Sequence, residues 1–300
     1  MSEKKRLLFF DILRIVAILF IVLAHLRGLV FMNIEFFLYN PEHYYNMIWF
    51  SAGTVGVALF LFISGAVLEY THRNISTIRD LIRFYYRRLT RIYPIYWVSL
   101  IITLFIAPVY IEKSTAGLIS QFSGFMSSPF HVQWFIGLIV FMYLIFPLLS
   151  KSMEKCPYFT IVILLAISIV STVYVNTYGA TFAGIDQQPD RIFPLCSLIE
   201  FGLGVFFVQQ NLYPETINTS RTIRLLSDMS FYIFLIHQPV RYALYGNPEN
   251  IWGVNAWIFP MLFEFIILVF VSSYILMLFD QKIQKYFVLI GTSFSRIGDK

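Results

Sequence analysis

Residues 7–29 read Leu7-Leu8-Phe9-Phe10-Asp11-Ile12-Leu13-Arg14-Ile15-Val16-Ala17-Ile18-Leu19-Phe20-Ile21-Val22-Leu23-Ala24-His25-Leu26-Arg27-Gly28-Leu29, an apolar run broken by very few charges. Crossing about 30 Å of hydrocarbon takes roughly 20 such residues in a helix, so this stretch is long enough to span a membrane. It is too long for the apolar part of a secretory signal, carries Arg14 and has no small-residue cleavage site after it, so it is expected to stay as an anchor. Similar stretches recur along a chain that is 58% hydrophobic, 19% aromatic and only 13% charged, a balance outside the range of soluble domains. A backbone in lipid must satisfy its own hydrogen bonds, so the spans are predicted to be helices. They fall at about 7–29, 47–69, 91–110, 131–150, 158–177, 191–210, 229–246 and 257–279. The expectation is an all-α polytopic transmembrane bundle of about eight spans, a single integral-membrane domain over residues 1–300. The stretch from Pro108 to Pro129 is only moderately apolar and suits a re-entrant or short interfacial segment; counting such segments takes the total up to about ten.

Charge sets the orientation. With the N-terminus inside, one side of the membrane receives Lys4, Lys5 and Arg6, then Arg73, Arg79, Arg83, Arg87, Arg88 and Arg91, then Lys151, Lys155, Arg221 and Arg224. The other keeps Arg27, Lys113, Arg191 and Arg241. That asymmetry follows the positive-inside rule and places both termini in the cytoplasm. The net charge of +5 therefore reports topology and anionic lipid, with no nucleic-acid partner implied. Cys156 falls in a cytoplasmic loop and Cys196 in the sixth span, so neither a disulfide nor a metal framework is expected. No internal repeat and no inverted pair of broken helices points to a transporter.

Ionisable residues inside the spans carry the chemistry, because each costs about 2.5–3.5 kcal/mol at mid-membrane. Eleven residues at roughly 100° each bring His25 to within about 20° of Arg14 around the helix axis, and Asp11 lies one turn earlier on the same stripe. At about 1.5 Å per residue, Arg14 and His25 are roughly 16 Å apart in depth. The stripe reads as a channel wall with a base at its far end. The competing reading is a buried Asp11–Arg14 ion pair that locks packing, with His25 bonded to a neighbouring carbonyl. Ser64, Glu200, His237 and Glu264 are further polar groups alone in apolar segments. Glu200 lies nearest the bilayer centre and must be paired or protonated. His237 and Arg241, one turn apart near the outer end of the seventh span, could meet an anion or a sugar. Each of these also fits a satisfied packing contact, and Ser64-Gly65 suits a close helix contact better than a nucleophile.

The segment Phe10-Asp11-Ile12-Leu13-Arg14-Ile15-Val16-Ala17, followed by aliphatics to His25, resembles the first helix of the bacterial acyltransferase-3 family of membrane-bound acyltransferases. Further resemblances run in order: Phe60-Leu61-Phe62-Ile63-Ser64-Gly65; Arg88-Leu89-Thr90-Arg91 with Tyr93-Pro94; His131-Val132-Gln133-Trp134-Phe135 with Tyr143-Leu144 and Pro147-Leu148-Leu149; Phe201-Gly202-Leu203-Gly204; and Ser230-Phe231-Tyr232-Ile233-Phe234-Leu235-Ile236-His237-Gln238-Pro239. The resemblance implies transfer of an acyl group, usually acetyl, from a coenzyme A thioester to a hydroxyl of a cell-surface polysaccharide or lipid-linked glycan, in a prokaryotic inner membrane. It maps the family's arginine and histidine to Arg14 and His25, and its cytoplasmic arginine pair to Arg88 and Arg91; read from the residues themselves, Asp11 would orient Arg14. Ser64, Trp134, His237 and Glu200 are candidate substrate-binding residues; no permanently bound cofactor and no metal is expected.

Such a reaction suits the layout. Coenzyme A is a cytoplasmic polyanion, and guanidinium groups are the preferred partners of phosphate, so Arg88 and Arg91 could clamp acetyl-CoA. Its pantetheine arm would run past Arg14 to His25, where the imidazole takes a hydroxyl proton or first accepts the acyl group itself. Arg14, Ser64 or a backbone amide could supply oxyanion donors. The competing readings are a transporter or flippase for a polysaccharide unit or small anion, and a non-catalytic assembly factor.

Overall fold

The computed structural model describes residues 6–34, 42–72, 75–106, 108, 114–125, 133–179, 193–214, 220–245 and 258–297, and these residues contain helices and no strand. In chain order the helices are α1 (Leu8–Ile34), α2 (Glu42–His72), α3 (Ile78–Ile106), α4 (Thr115–Ser123), α5 (Gln133–Lys155) and α6 (Pro157–Tyr178). A 3-10 turn at Pro194–Ser197 then leads into α7 (Leu198–Gln209), followed by α8 (Arg221–Tyr245) and α9 (Ile258–Ile297). Among the described residues, six of these are long and apolar enough to cross a membrane: α1, α2, α3, α5, α6 and α9. The 3-10 turn and α7 together form a shorter apolar helix, Pro194–Gln209, and α8 is less apolar. The protein is thus a multi-pass, all-helical membrane protein. Large apolar side chains face outward: Val162, Val170 and Val173 of α6 and Ile275 of α9 stand exposed, as lipid contact requires.

Several boundaries differ from the sequence reading, two of them by more than ten residues. The basic stretch before Arg91 was expected to be loop, but α3 begins at Ile78. The reason is a capping box: the Thr77 hydroxyl accepts from the Asp80 amide at 3.1 Å, while the Asp80 carboxylate accepts from the Thr77 amide at 3.2 Å. The arginines thus line the first turns of a helix. At the other end of the chain, α9 runs on to Ile297, well past the expected end at 279.

The stretch Pro108–Pro129 contains α4, whose nine residues, about 13 Å long, cannot cross a membrane. Ser114 caps its start by accepting from the Gly117 amide at 3.0 Å, and Gly124 ends it at φ 74°, where a side chain would be strained. Its last carbonyls would be orphans in an apolar setting. Three rings of α3 serve them: Tyr96 donates to Gln121 O, Trp97 to Phe122 O at 2.9 Å and Tyr93 to Ser123 O at 2.8 Å.

Prolines stand inside α3, α5 and α8, and each removes one N–H from the ladder. Pro239 leaves Leu235 O without its usual donor four residues on, and Ser99 of α3 donates to that oxygen at 3.0 Å. Pro94 does the same to Thr90 O, which receives the Gln284 side-chain amide of α9 at 2.9 Å. Neighbouring helices thus complete each other's backbones, which is how lipid-embedded helices tolerate proline.

Small residues set the tightest helix contacts. A side chain at Gly65 of α2 would meet Phe201 O of α7, and one at Gly204 of α7 would meet Phe62 O of α2, so each backbone lies against the other. Gly56 does likewise towards Ala17 O of α1, where a Cβ would come within 2.8 Å. Helix α1 is therefore gripped by α2 on one side. On its other side it packs along α8.

Candidate active site

Two polar clusters lie at different heights along the α1–α8 contact. At the lower one, Asp11 is fully buried and is the hub. Arg6, just before α1, donates to both carboxylate oxygens at 2.7 Å, and the Ser227 hydroxyl of α8 adds a third bond at 2.7 Å. Arg6 also donates to Asp228 at 2.8 Å. Burial works against the charge of Arg6, but the bonds to Asp11 and Asp228 prevail and hold its guanidinium above its ordinary range. Arg14, expected to be the partner of Asp11, touches it only at 3.5 Å. Arg14 instead lies in the combined field of Arg91, Arg6, Asp11 and Asp228. Its guanidinium points back to Asp11 and away from His25, and roughly 16 Å of helix separates the two residues. This orientation suits an anion arriving from below better than an oxyanion beside His25.

At the upper cluster, the Gln238 side-chain amide lies 2.6 Å from His25 Nδ1, and Arg241 donates to His25 O at 2.8 Å. The His237 ring sits 5.2 Å from that of His25, centroid to centroid. His237 is fully buried; its Nδ1 bonds the carbonyls of Ile233 (3.0 Å) and Phe234 (2.8 Å), so it carries the proton and Nε2 holds the lone pair. That Nε2 has no hydrogen-bond partner among the described residues. Phe60, Phe135 and Phe234 pack together beneath it, with Phe135 and Phe234 4.8 Å apart. Trp134 lies edge-on to Phe135 at 6.1 Å, at the border of the same group.

Contacts 11–227 and 25–238 advance together along the two helices, so α1 and α8 run parallel.

The remaining candidates are spread out. Arg88 lies 3.1 Å from the His72 ring, with its guanidinium over Phe84 at 5.8 Å and Tyr143 at 6.0 Å, and its buried Nε has no partner among the described residues. Arg91, on the next turn, is exposed. Ser64 is half-buried beside the Gly65 contact, in keeping with a packing role. Glu200 stands in the first turn of α7, where the helix dipole favours an acid, and its Oε2 is buried without a partner among the described residues. Neither is brought to His25 by any contact described.

Sequence reasoning missed several groups. Glu69 is a fully buried carboxylate of α2, bonded by Ser150 at 2.6 Å and Gln209 at 3.0 Å, and the cost of burying charge could have flagged it. Arg6, Ser227 and Gln238 gave no such signal, because their importance comes from the register between helices. His131 lies outside the described residues.

A family model described as an acyltransferase domain matches residues 7–211, about two thirds of the chain. The chain belongs to the acyltransferase-3 family. No curated protein and no solved structure matches it. As an acyltransferase-3 member it is a membrane acyltransferase, and the matched region includes Asp11, Arg14, His25, Arg88 and Arg91. The match ends before α8, yet in this acyltransferase Gln238 and Arg241 of α8 bond His25, and the His237 ring lies beside it.

Proposed function

We propose that the protein moves an acyl group, acetyl by preference, from a coenzyme A thioester on the cytoplasmic side to a hydroxyl of a cell-surface polysaccharide or lipid-linked glycan. In this reading eight helices cross an inner membrane, α7 and α8 included, with both termini in the cytoplasm. The observation that carries it is His25 held by α8 some 16 Å along α1 from Arg14, which shares the field of Arg6 before α1 and Arg91 of α3. Arg88 and Arg91 receive the phosphates of the donor, and Arg14, turned downward, adds a third cation on the way.

His25 takes the proton of the acceptor hydroxyl as its oxygen attacks the thioester carbon. Collapse of the tetrahedral adduct breaks the carbon–sulfur bond, and the imidazolium returns the proton to the departing thiolate. Products are the ester and free coenzyme A. Oxyanion donors near His25 come from α8 in this reading, where Arg241 reaches the His25 backbone.

The test is purified protein in lipid discs with acetyl-CoA and a panel of glycan acceptors. Steady thiol release matched by acetylated acceptor supports the reading. No release across the panel, with passage of the glycan across sealed vesicles, replaces it by transport. Label trapped on His25 without acceptor would make the histidine an acyl carrier.

A further inference from the structure

We infer that His72, the last residue of α2, is a positioning residue for the donor site: its neutral ring holds the Arg88 guanidinium in place and leaves the charge of that guanidinium for a phosphate of the acyl-CoA. This rests on the role given to Arg88 above. One guanidinium nitrogen, Nη2, lies 3.1 Å from both Nδ1 and Nε2 of His72. A neutral imidazole has one lone pair and an imidazolium has none, so either neutral tautomer offers Arg88 an acceptor. Nη1 of Arg88 is bonded to nothing among the described residues and, unlike Nε, is not enclosed, so it keeps donors for a ligand. The charged side chains whose fields reach Arg88 are Arg91 and Arg87 of its own helix, and no carboxylate pairs with it among the described residues. Three guanidinium groups within two turns and no acid beside them suit an anionic partner.

The ring of His72 is itself held. Thr71 Oγ1 lies 2.6 Å from Nδ1 and is anchored in turn to Val67 O at 2.6 Å. Phe84, which is buried, meets the His72 ring edge-on at 5.6 Å, while the Arg88 guanidinium lies over Phe84 at 5.8 Å and over Tyr143 at 6.0 Å. A guanidinium held by two aromatic faces and one acceptor keeps a single orientation, so less freedom is lost when a phosphate meets it. The neutrality of the acceptor matters as much as its place. A carboxylate at position 72 would bind Arg88 at least as firmly, but it would take up the charge and compete with the phosphate.

The experiment measures acetyl transfer against acetyl-CoA concentration by the full-length protein in lipid discs at neutral pH. It compares wild type, Arg88→Gln, His72→Gln, His72→Glu, His72→Phe and the double variant His72→Phe with Arg88→Gln. Glutamine keeps a neutral acceptor, so KM for acetyl-CoA should stay within about threefold of wild type. Phenylalanine keeps the contact with Phe84 and loses the acceptor, so KM should rise about tenfold with kcat unchanged. Glutamate keeps the bond and neutralises Arg88, so KM should rise by about tenfold or more although the new pair favours folding. A merely structural residue would not separate glutamine from glutamate, which have the same shape. In the Arg88→Gln background His72→Phe should add less than about twofold, because it acts through Arg88. A raised KM in Arg88→Gln beside a wild-type KM in His72→Phe, or beside full additivity in the double variant, overturns this inference alone; an unchanged KM in Arg88→Gln overturns the donor site itself. Should His72→Phe not fold, the contrast between glutamine and glutamate decides, and equal KM values in the two overturn the inference.

Discussion

Asp11 and Arg14 are neighbours on one helix face, yet their environments assign them different work. Asp11 accepts from Arg6 and Ser227 in a fully buried site, so removing it leaves donors without an acceptor. Asp11→Ala should therefore cost about 3 kcal/mol in stability, measurable as thermal unfolding in detergent. Arg14 adds little to that hub at 3.5 Å, so Arg14→Lys should insert and fold normally. It should still raise KM for acetyl-CoA, because a guanidinium offers five donors in a fixed plane and an ammonium does not. Unchanged KM in the lysine variant would remove Arg14 from the donor path. His25→Ala should lower acyl transfer by about 10²–10⁴-fold with the unfolding temperature nearly unchanged.

Helices in this protein are joined through their defects. Ser99→Ala should strand Leu235 O and cost about 1–3 kcal/mol. Pro239→Ala supplies an N–H to the same oxygen, so the double variant should lose much less than the sum of the single losses. Strict additivity in that cycle would show that Ser99 does not complete the α8 backbone. These joints also mark how far sequence can be read. Apolar length alone identified α1, α2, α5, α6 and α9, since lipid crossing demands it. The start of α3 was obscured because Arg79, Arg83 and Arg87 resemble a loop, although Thr77 and Asp80 already spelled a cap. Arg6 was overlooked as the partner of Asp11 because helical spacing favours Arg14, whereas Arg6 lies outside the helix. His25 and Arg14 were legible as isolated charges in apolar sequence. Gln238 stands in the Ser230–Pro239 motif, but its bond to His25 depends on the register of α8 against α1, which no local pattern encodes.

Across the whole molecule, orientation is the quantity that decides whether the arginine cluster faces acyl-CoA. In a background of Cys156→Ser and Cys196→Ser, a cysteine at Asn247 should react with a membrane-impermeant reagent added to intact cells, and one at Arg79 should not. Reversed labelling would turn the donor side outward and sink the acyl-CoA assignment. The two proline joints described above also imply a timetable for biogenesis. Leu235 O lies well inside an apolar stretch, and its donor Ser99 belongs to a helix synthesised long before α8. Thr90 O sits at the edge of the apolar run of α3, and its donor Gln284 emerges from the ribosome only with the last helix. The deeper gap thus finds its partner already waiting in the bilayer, while the shallower one can borrow water from the interface until translation ends.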